Sequence, residues 1–215
     1  MQNGAGGTTV FTIGHSLHSW EAFLSLVRSR EIEVLVDVRS SPHSARAPHF
    51  NAEVLKAACR EAGLRYLQMG DQLGGRTDQS SLLTQGGRVD YDRLAETESF
   101  RSGLVRLANG ARTHRMALMC AEKDPITCHR ALLVSRHLLP LLGPAGGISH
   151  ILADGRGLSQ ADLETELLHV AGLPAGPDLF ESDEIRRATA YRHQAERVAF
   201  LVRDRANPIL SDEVD

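Results

Sequence analysis

Met116-Ala-Leu-Met-Cys-Ala-Glu-Lys-Asp-Pro-Ile-Thr-Cys-His-Arg130 joins an apolar run to a dense set of reactive side chains. Met116 to Met119 has the character of an interior strand, and the stretch that follows, Ala131 to Leu142, is too apolar for a solvated helix. The segment Cys120 to Arg130 therefore falls at a strand-to-helix turn, where it crowds two thiols, an imidazole, a guanidinium and a carboxylate. In open α/β sheets such turns are where ligands bind.

Working outward, the same alternation of strand and helix recurs. Val10 to Ile13, closed by Gly14, precedes Trp20, Phe23, Leu24 and Val27, which share one helical face. Val34 to Val38 is a second strand, and after a loop with Pro42 and Pro48, Asn51 can cap a helix carrying Val54, Leu55 and Ala58. Leu64 to Met69 is a weaker third strand. Gly70 to Asp90, rich in Gly, Ser, Thr and Asp, is expected to be a long irregular loop. Phe100 to Leu107 gives a helical face, Met116 to Met119 the fourth strand, and Ile148 to Leu152 the fifth, after breaks at Gly143-Pro144 and Gly146-Gly147. The fold class is α/β: a mainly parallel sheet of about five strands with flanking helices, plus a C-terminal helical appendage.

Three regions are expected: a disordered, Gly-rich N-terminus over 1–9, the α/β domain over 10–157, and a helical extension over 158–215. In the extension Ser159 caps a helix through Val170, Pro174 and Pro177 mark a linker, and Asp183 to Arg205 reads as a long charged helix. Its arginines, interspersed with Glu184 and Glu196, suit a solvated face.

The composition is that of an ordinary globular chain: 215 residues, 42% hydrophobic and 24% charged, with a formal charge of −3. Such a balance gives no global attraction to nucleic acid or to an anionic membrane. An odd count of three cysteines argues against a disulfide framework and for a reducing compartment, so a cytoplasmic location is expected. The first residues lack the pattern of a signal peptide, and no apolar run approaches the roughly 20 residues that span a bilayer.

Each expected strand ends in groups able to bind or react. The first runs into His15 and Ser16; the second carries Asp37 and delivers Arg39, Ser40 and Ser41; the third leads to Asp71 and Gly74-Gly75-Arg76, the fourth to Cys120 and Glu122, the fifth to Asp154 and Arg156. In a parallel sheet these ends lie along one edge. Arginines beside glycine loops suit a phosphate or carboxylate, which guanidinium binds in a bidentate manner and backbone N–H groups approach closely.

With Thr127 as helix cap, Cys128, His129 and Arg130 occupy the first helical positions, where the helix dipole favours a thiolate at Cys128. The alternative makes Cys120 the nucleophile, His129 its base and Glu122 the group that orients the base. The sequence leaves both open, with His15 as a second candidate acid–base and Arg39 and Arg130 as anion ligands. Cys59, inside a helix, reads as an apolar filler. Zinc or iron on Cys120, Cys128, His129 and His15 is the competing use of these groups. Cys-x7-Cys-His is not a usual structural spacing, and adjacent Cys128 and His129 seldom bind one ion, so a site without metal or other cofactor is expected.

Thr12-Ile-Gly-His-Ser16, Val36-Asp-Val-Arg39 with Pro42 and Ser44, His49-Phe-Asn51, Leu73-Gly-Gly75, the Cys120 to Arg130 turn and His150-Ile-Leu-Ala-Asp-Gly-Arg156 together resemble the successive motifs of the domain of unknown function 488 family. The resemblance runs from about Val10 to Arg156. It implies an α/β domain without a settled activity, and its motif positions fall on His15, Ser16, Asp37, Arg39, Ser44, Cys120, Glu122, Cys128, His129 and Arg130.

Two functions compete on these residues. One is a thiol-dependent hydrolase or transferase acting on an anionic small molecule, a nucleotide-like compound or nucleic acid. The other is a nucleic-acid-binding or regulatory module in which the same arginines contact phosphates without chemistry. A sulfur carrier of rhodanese type is disfavoured, because no compact loop able to cradle a persulfide follows either cysteine.

Overall fold

Val34–Asp37 and Met116–Cys120 are buried along their whole length, as strands covered by helices on both faces must be. The computed structural model describes residues 7–202. The readings made on residues 1–6 and on Arg203 and Arg205 lie outside the described residues. In chain order the elements are β1 (Thr9–Gly14), α1 (Trp20–Arg28), β2 (Val34–Asp37), α2 (Ala52–Glu61), β3 (Arg65–Gln68), α3 (Gly70–Leu73), α4 (Tyr91–Ala95), α5 (Glu98–Ala111) and β4 (Met116–Cys120). There follow a π-helical segment (Arg130–Ser135), α6 (Arg136–Leu138), β5 (Gly147–Ile151), β6 (Gly157–Ser159), α7 (Gln160–Val170) and α8 (Asp183–Val198).

The strands form one sheet in the order β3-β2-β4-β1-β5-β6, parallel except where β6 pairs with β5. The expected α/β class and parallel sheet are therefore present, with a sixth, antiparallel strand at one edge. Alternate residues of the central strands feed two cores. Leu35, Ala117 and Met119 meet Phe23 and Val27 of α1 and Leu55 and Cys59 of α2. Val36 and Leu118 meet Leu104 and Leu107 of α5, Leu133 of the π-helical segment and Leu163 and Leu167 of α7.

This wiring creates the crevice. β4 lies between β1 and β2, whose connections leave over the α1/α2 face, whereas its own connection leaves over the other face. The carboxyl end of β4 is thus a point where neighbouring loops part, the place where open α/β sheets bind ligands.

Three expectations are revised. The segment Gly70 to Asp90 is not irregular throughout: it holds α3, a 3-10 turn at Ser80–Leu82 and a bridge between Leu83 and Val89, and it buries Leu73 and Val89. The apolar run after Arg130 is no plain α-helix, since a π turn passes through α6 into a 3-10 turn at Leu139–Leu142. On α8, Arg186 is not solvated. It is buried against Asp183 and donates to the carbonyls of Pro174 (3.0 Å) and Gly176 (2.6 Å), tying down the linker. Tyr191 and Gln194 of α8 are also buried, and Gln194 Nε2 donates to Ile126 O at 2.9 Å. Past α8 the chain runs beside residues 87–89, with Val89 N donating to Phe200 O and Val202 N to Gly87 O, both at 3.0 Å.

Candidate functional site

The turn after β4 is pinned from below. In register with Cys120 stands Gly14 of β1, where a Cβ would come within 1.9 Å of Glu122 O, so only glycine lets the turn fold over the strand. Arg130, with no exposed surface, donates from Nη1 to Glu122 O (2.6 Å), from Nη2 to Lys123 O (3.2 Å) and from Nε to Thr12 Oγ1 (3.3 Å). Its guanidinium serves the turn and does not line the pocket described below, contrary to the expected role as an anion ligand.

The helix begins later than the Thr127 cap implied. Asp124 caps a 3-10 turn at Pro125–Thr127, accepting from Ile126 N at 3.1 Å. Cys128 then adopts an extended conformation (φ −126°, ψ 137°), and its carbonyl accepts from Ala131 N and Leu132 N. Its Sγ accepts from Arg130 N at 3.4 Å. Cys128 is therefore itself a sulfur cap, still at the positive end of the helix.

Both sulfurs converge on one carboxylate. Cys120 Sγ donates to Glu122 Oε2 at 2.9 Å, Cys128 Sγ shares a single proton with that same oxygen at 3.0 Å, and His129 Nδ1 lies 3.5 Å from Cys120 Sγ. His129 is oriented by Val38, whose carbonyl accepts from Nε2 at 2.9 Å, and not by Glu122 as the sequence suggested. The two thiols differ in acidity. Burial pushes the Cys120 thiol well above its usual range, and the adjacent Cys128 and Glu122 add to this. Burial also opposes ionisation of Cys128, but the hydrogen bond from Cys120 and the positive charge of Arg130 and His129 outweigh it and hold that thiol well below its usual range. Burial, then the charge of Cys128, raises Glu122.

Beside this cluster stands a second buried group. Arg39 of the turn after β2 donates to Asp37 from Nε (2.9 Å) and Nη2 (2.6 Å), and from Nη2 also to Phe50 O (2.8 Å). Tyr66 OH, unforeseen from sequence, donates to Asp37 Oδ2 at 2.7 Å. Arg39 Nη1 contacts His15 Nε2 at 3.0 Å, while His15 Nδ1 faces Ser16 O at 3.0 Å. These partners define the ring: Nδ1 carries the proton, and Nε2 spends its lone pair on Arg39. Burial, then the charge of Arg39, lowers the His15 pKa to about 4. His15 is thus a neutral prop for Arg39 in this arrangement, stacked on Phe50 with ring centroids 4.5 Å apart.

A cavity of about 250 Å³ opens over these groups, lined by His15, Arg39, Ser40, Ser44, Arg76, Cys120, Glu122 and His129 among others. Cys128 is behind it. Four of the five strand ends meet here. The fifth does not: Asp154 and Arg156 pair with each other on the surface, at 2.7 Å. Ser16, in a left-handed conformation (φ 47°), contributes its backbone and does not line the cavity. Ser44 Oγ accepts from Ala47 N, so the hydroxyl also shapes its own loop. The Gly74-Gly75 pair acts through packing: a Cβ at Gly74 would meet Ser40 Oγ at 2.2 Å, and one at Gly75 would meet the His129 side chain at 2.7 Å. Arg76 is exposed, sits over the Phe200 ring at 5.1 Å, and has no carboxylate partner among the described residues. Phe200, which sequence reading missed because it lies far along the chain, reaches the cavity on the segment after α8.

Behind the site runs a buried polar chain with a consistent direction. Arg130 Nε donates to Thr12 Oγ1, whose hydroxyl meets His150 Nδ1 at 2.8 Å; His150 Nε2 meets Gln160 Oε1 at 2.9 Å; Gln160 Nε2 donates to Tyr191 OH at 2.6 Å, and that hydroxyl donates to Glu164 at 3.0 Å. Every donor has one acceptor if His150 is neutral. Burial, then the charge of Arg130, lowers its pKa to about 4. The unfolded chain binds that proton near pH ~6.5 while the fold refuses it, so stability is full at neutral pH and falls as pH drops from ~6.5 towards 4. By pH 5 the loss from His150 is about 2 kcal/mol. Urea unfolding at pH 7 and pH 5 should show it, and His150→Gln should lose correspondingly less between the two; equal losses would contradict the assignment.

Fold and site together define a doubly wound α/β protein with a Cys/Glu/His centre at the carboxyl edge of its sheet. The chain belongs to the family described as domain of unknown function DUF488, whose model matches residues 19–137. No curated protein and no solved structure matches the chain. Among the described residues no helix is long and apolar enough to cross a membrane.

Proposed function

We propose that the chain is an enzyme, a thiol-dependent hydrolase or transferase, acting on a phosphate-bearing, nucleotide-like substrate in the cavity at the end of β4. The observation that carries this reading is the convergence of Cys120, Glu122, Cys128 and His129 at one edge of a cavity that Arg76, without a carboxylate partner among the described residues, also lines. Arg39 adds a single spare N–H, from Nη1, because its other donors are spent on Asp37, Phe50 and His15. The volume suits one phosphate-bearing group.

The non-catalytic nucleic-acid reading gains less support. Of the helix α8 arginines, Arg186 is buried against Asp183 and Arg187 pairs with Glu164 at 3.3 Å, which leaves no basic stripe on those positions.

Equilibrium dialysis against nucleoside mono-, di- and triphosphates and a short single-stranded oligonucleotide tests the substrate class. Arg76→Ala should weaken binding at least ~10-fold, the loss of one charge-assisted phosphate contact of about 1.5 kcal/mol, whereas Arg106→Ala, on the exposed side of α5, should leave it unchanged. Equal binding by wild type and Arg76→Ala would reject the anion site. Ligands that bind and are never turned over, in a screen where Cys120→Ala behaves as wild type, would reject the enzyme.

A further inference from the structure

We infer that Cys120, Cys128 and His129 hold a divalent cation of the zinc type, with Glu122 as a displaceable fourth ligand on the cavity side. This deepens the reading above by putting a cation, in place of a free thiol, at the reactive end of the cavity, and it rests on that reading for the anionic substrate. The ligand atoms of the four residues all lie within 4.8 Å of one another. Tetrahedral zinc, with bonds of ~2.3 Å to sulfur and ~2.0–2.2 Å to nitrogen and oxygen, needs ligand separations of about 3.4–3.8 Å. Cys120 Sγ to His129 Nδ1, at 3.5 Å, already has that value. The Glu122 oxygen, at 2.9 and 3.0 Å from the two sulfurs, must retreat by about half an ångström, which a half-buried glutamate at the cavity wall can do.

Independent of the distances, the surroundings of each ligand are those of a bound ion. His129 commits Nε2–H to Val38 O, which directs the lone pair of Nδ1 at the sulfurs; metal-binding histidines are oriented by such a second hydrogen bond. Arg130 N points at Cys128 Sγ, a backbone N–H that stabilises a thiolate ligand. Two thiolates and an imidazole favour zinc or ferrous iron over magnesium or calcium, and zinc over the others by tetrahedral shape. The objection drawn from spacing loses its force here. Cys128 is extended and His129 helical, so the backbone turns between the two residues and sends both side chains to one point.

Position decides which ligand is exchangeable. Cys120, Glu122 and His129 line the cavity while Cys128 backs it, so a cation bound by the three Cys and His groups faces the substrate across Glu122. Two cysteines and a histidine with an open fourth position make a known ligand set of catalytic zinc.

The test uses the full chain, purified, stripped with chelator and titrated with Co²⁺ and with Zn²⁺. A thiolate-to-cobalt charge-transfer band saturating at about one Co²⁺ per chain is expected. Zn²⁺ should bleach it, Cys120→Ser and Cys128→Ser should each weaken binding by more than ~100-fold, and Cys59→Ala should leave it intact. On the wild type, Zn²⁺ should shield two of the three thiols from a disulfide reagent and chelator should release them, a readout independent of whether the variants fold. No band and no shielding would overturn the inference, as would a band that survives both serine variants. A chain that binds nucleotide through Arg76 yet takes up no metal refutes the cation alone; one that takes up metal and binds no anionic ligand refutes the substrate reading alone.

Discussion

Asp37→Ala is expected to remove about 3–5 kcal/mol of folding stability, a large share of the ~5–15 kcal/mol that holds a domain of this kind. Asp37 is fully buried and Arg39 is 4% exposed, so neither charge has water to fall back on. With the carboxylate gone, the guanidinium keeps only Phe50 O and His15 Nε2 as acceptors, and Tyr66 OH loses its partner. The cost is that of an uncompensated buried charge rather than the net worth of the pair. Two large apolar side chains of similar volume should therefore recover most of it: Asp37→Leu combined with Arg39→Met is expected to be far more stable than Asp37→Ala. Urea unfolding of the three proteins measures this, and a loss below about 1 kcal/mol for Asp37→Ala would show that the pair is solvated in a way its burial denies.

That ion pair also shows what sequence could and could not reveal. Asp37 ends β2 and Arg39 follows it by two residues in the turn, close enough to pair, yet Arg39 reads from sequence as an anion ligand, because no local pattern shows that Asp37, Phe50 and His15 take all but one of its donors. The apolar runs of β1, β2, β4 and β5 are long enough to announce themselves. β6, three residues with an exposed-to-intermediate pattern, has no such signal. Asp124-Pro125 is itself a cap followed by proline at the first helical position, a start signal one turn before Thr127 that explains why the main helix begins later. The convergence of thiols on Glu122 depends on the 3-10 turn at Pro125–Thr127 and the extended Cys128 after it, and the π turn that follows lies inside an almost wholly apolar stretch, where periodicity carries no information. Contacts such as Thr12 with His150, 138 residues apart, and Phe200 over the cavity depend on how the whole chain closes, which no local pattern encodes.

Arg130→Met is expected to cost about 2–4 kcal/mol, because it orphans two backbone carbonyls, each worth about 1–3 kcal/mol when buried and less where water can return, and takes from the Thr12 hydroxyl one of its two hydrogen bonds. Water can return to the partly exposed 122–123 turn, which sets the estimate below the full sum. Arg130→Lys should recover little, since one ammonium on a flexible stem cannot span three acceptors that a planar guanidinium meets at once. The functional consequence separates two roles for this side chain. A ligand for substrate phosphate would, on removal, weaken nucleotide binding and leave folding untouched. A strut for the turn, as its burial implies, would lower stability and let Glu122 and Cys128 drift from Cys120, so that metal uptake weakens together with the fall in unfolding free energy. Measuring urea stability, cobalt affinity and nucleotide affinity on the same Arg130→Met preparation decides between them: unchanged stability with lost nucleotide binding would return Arg130 to the substrate, and the opposite pattern keeps it beneath the site.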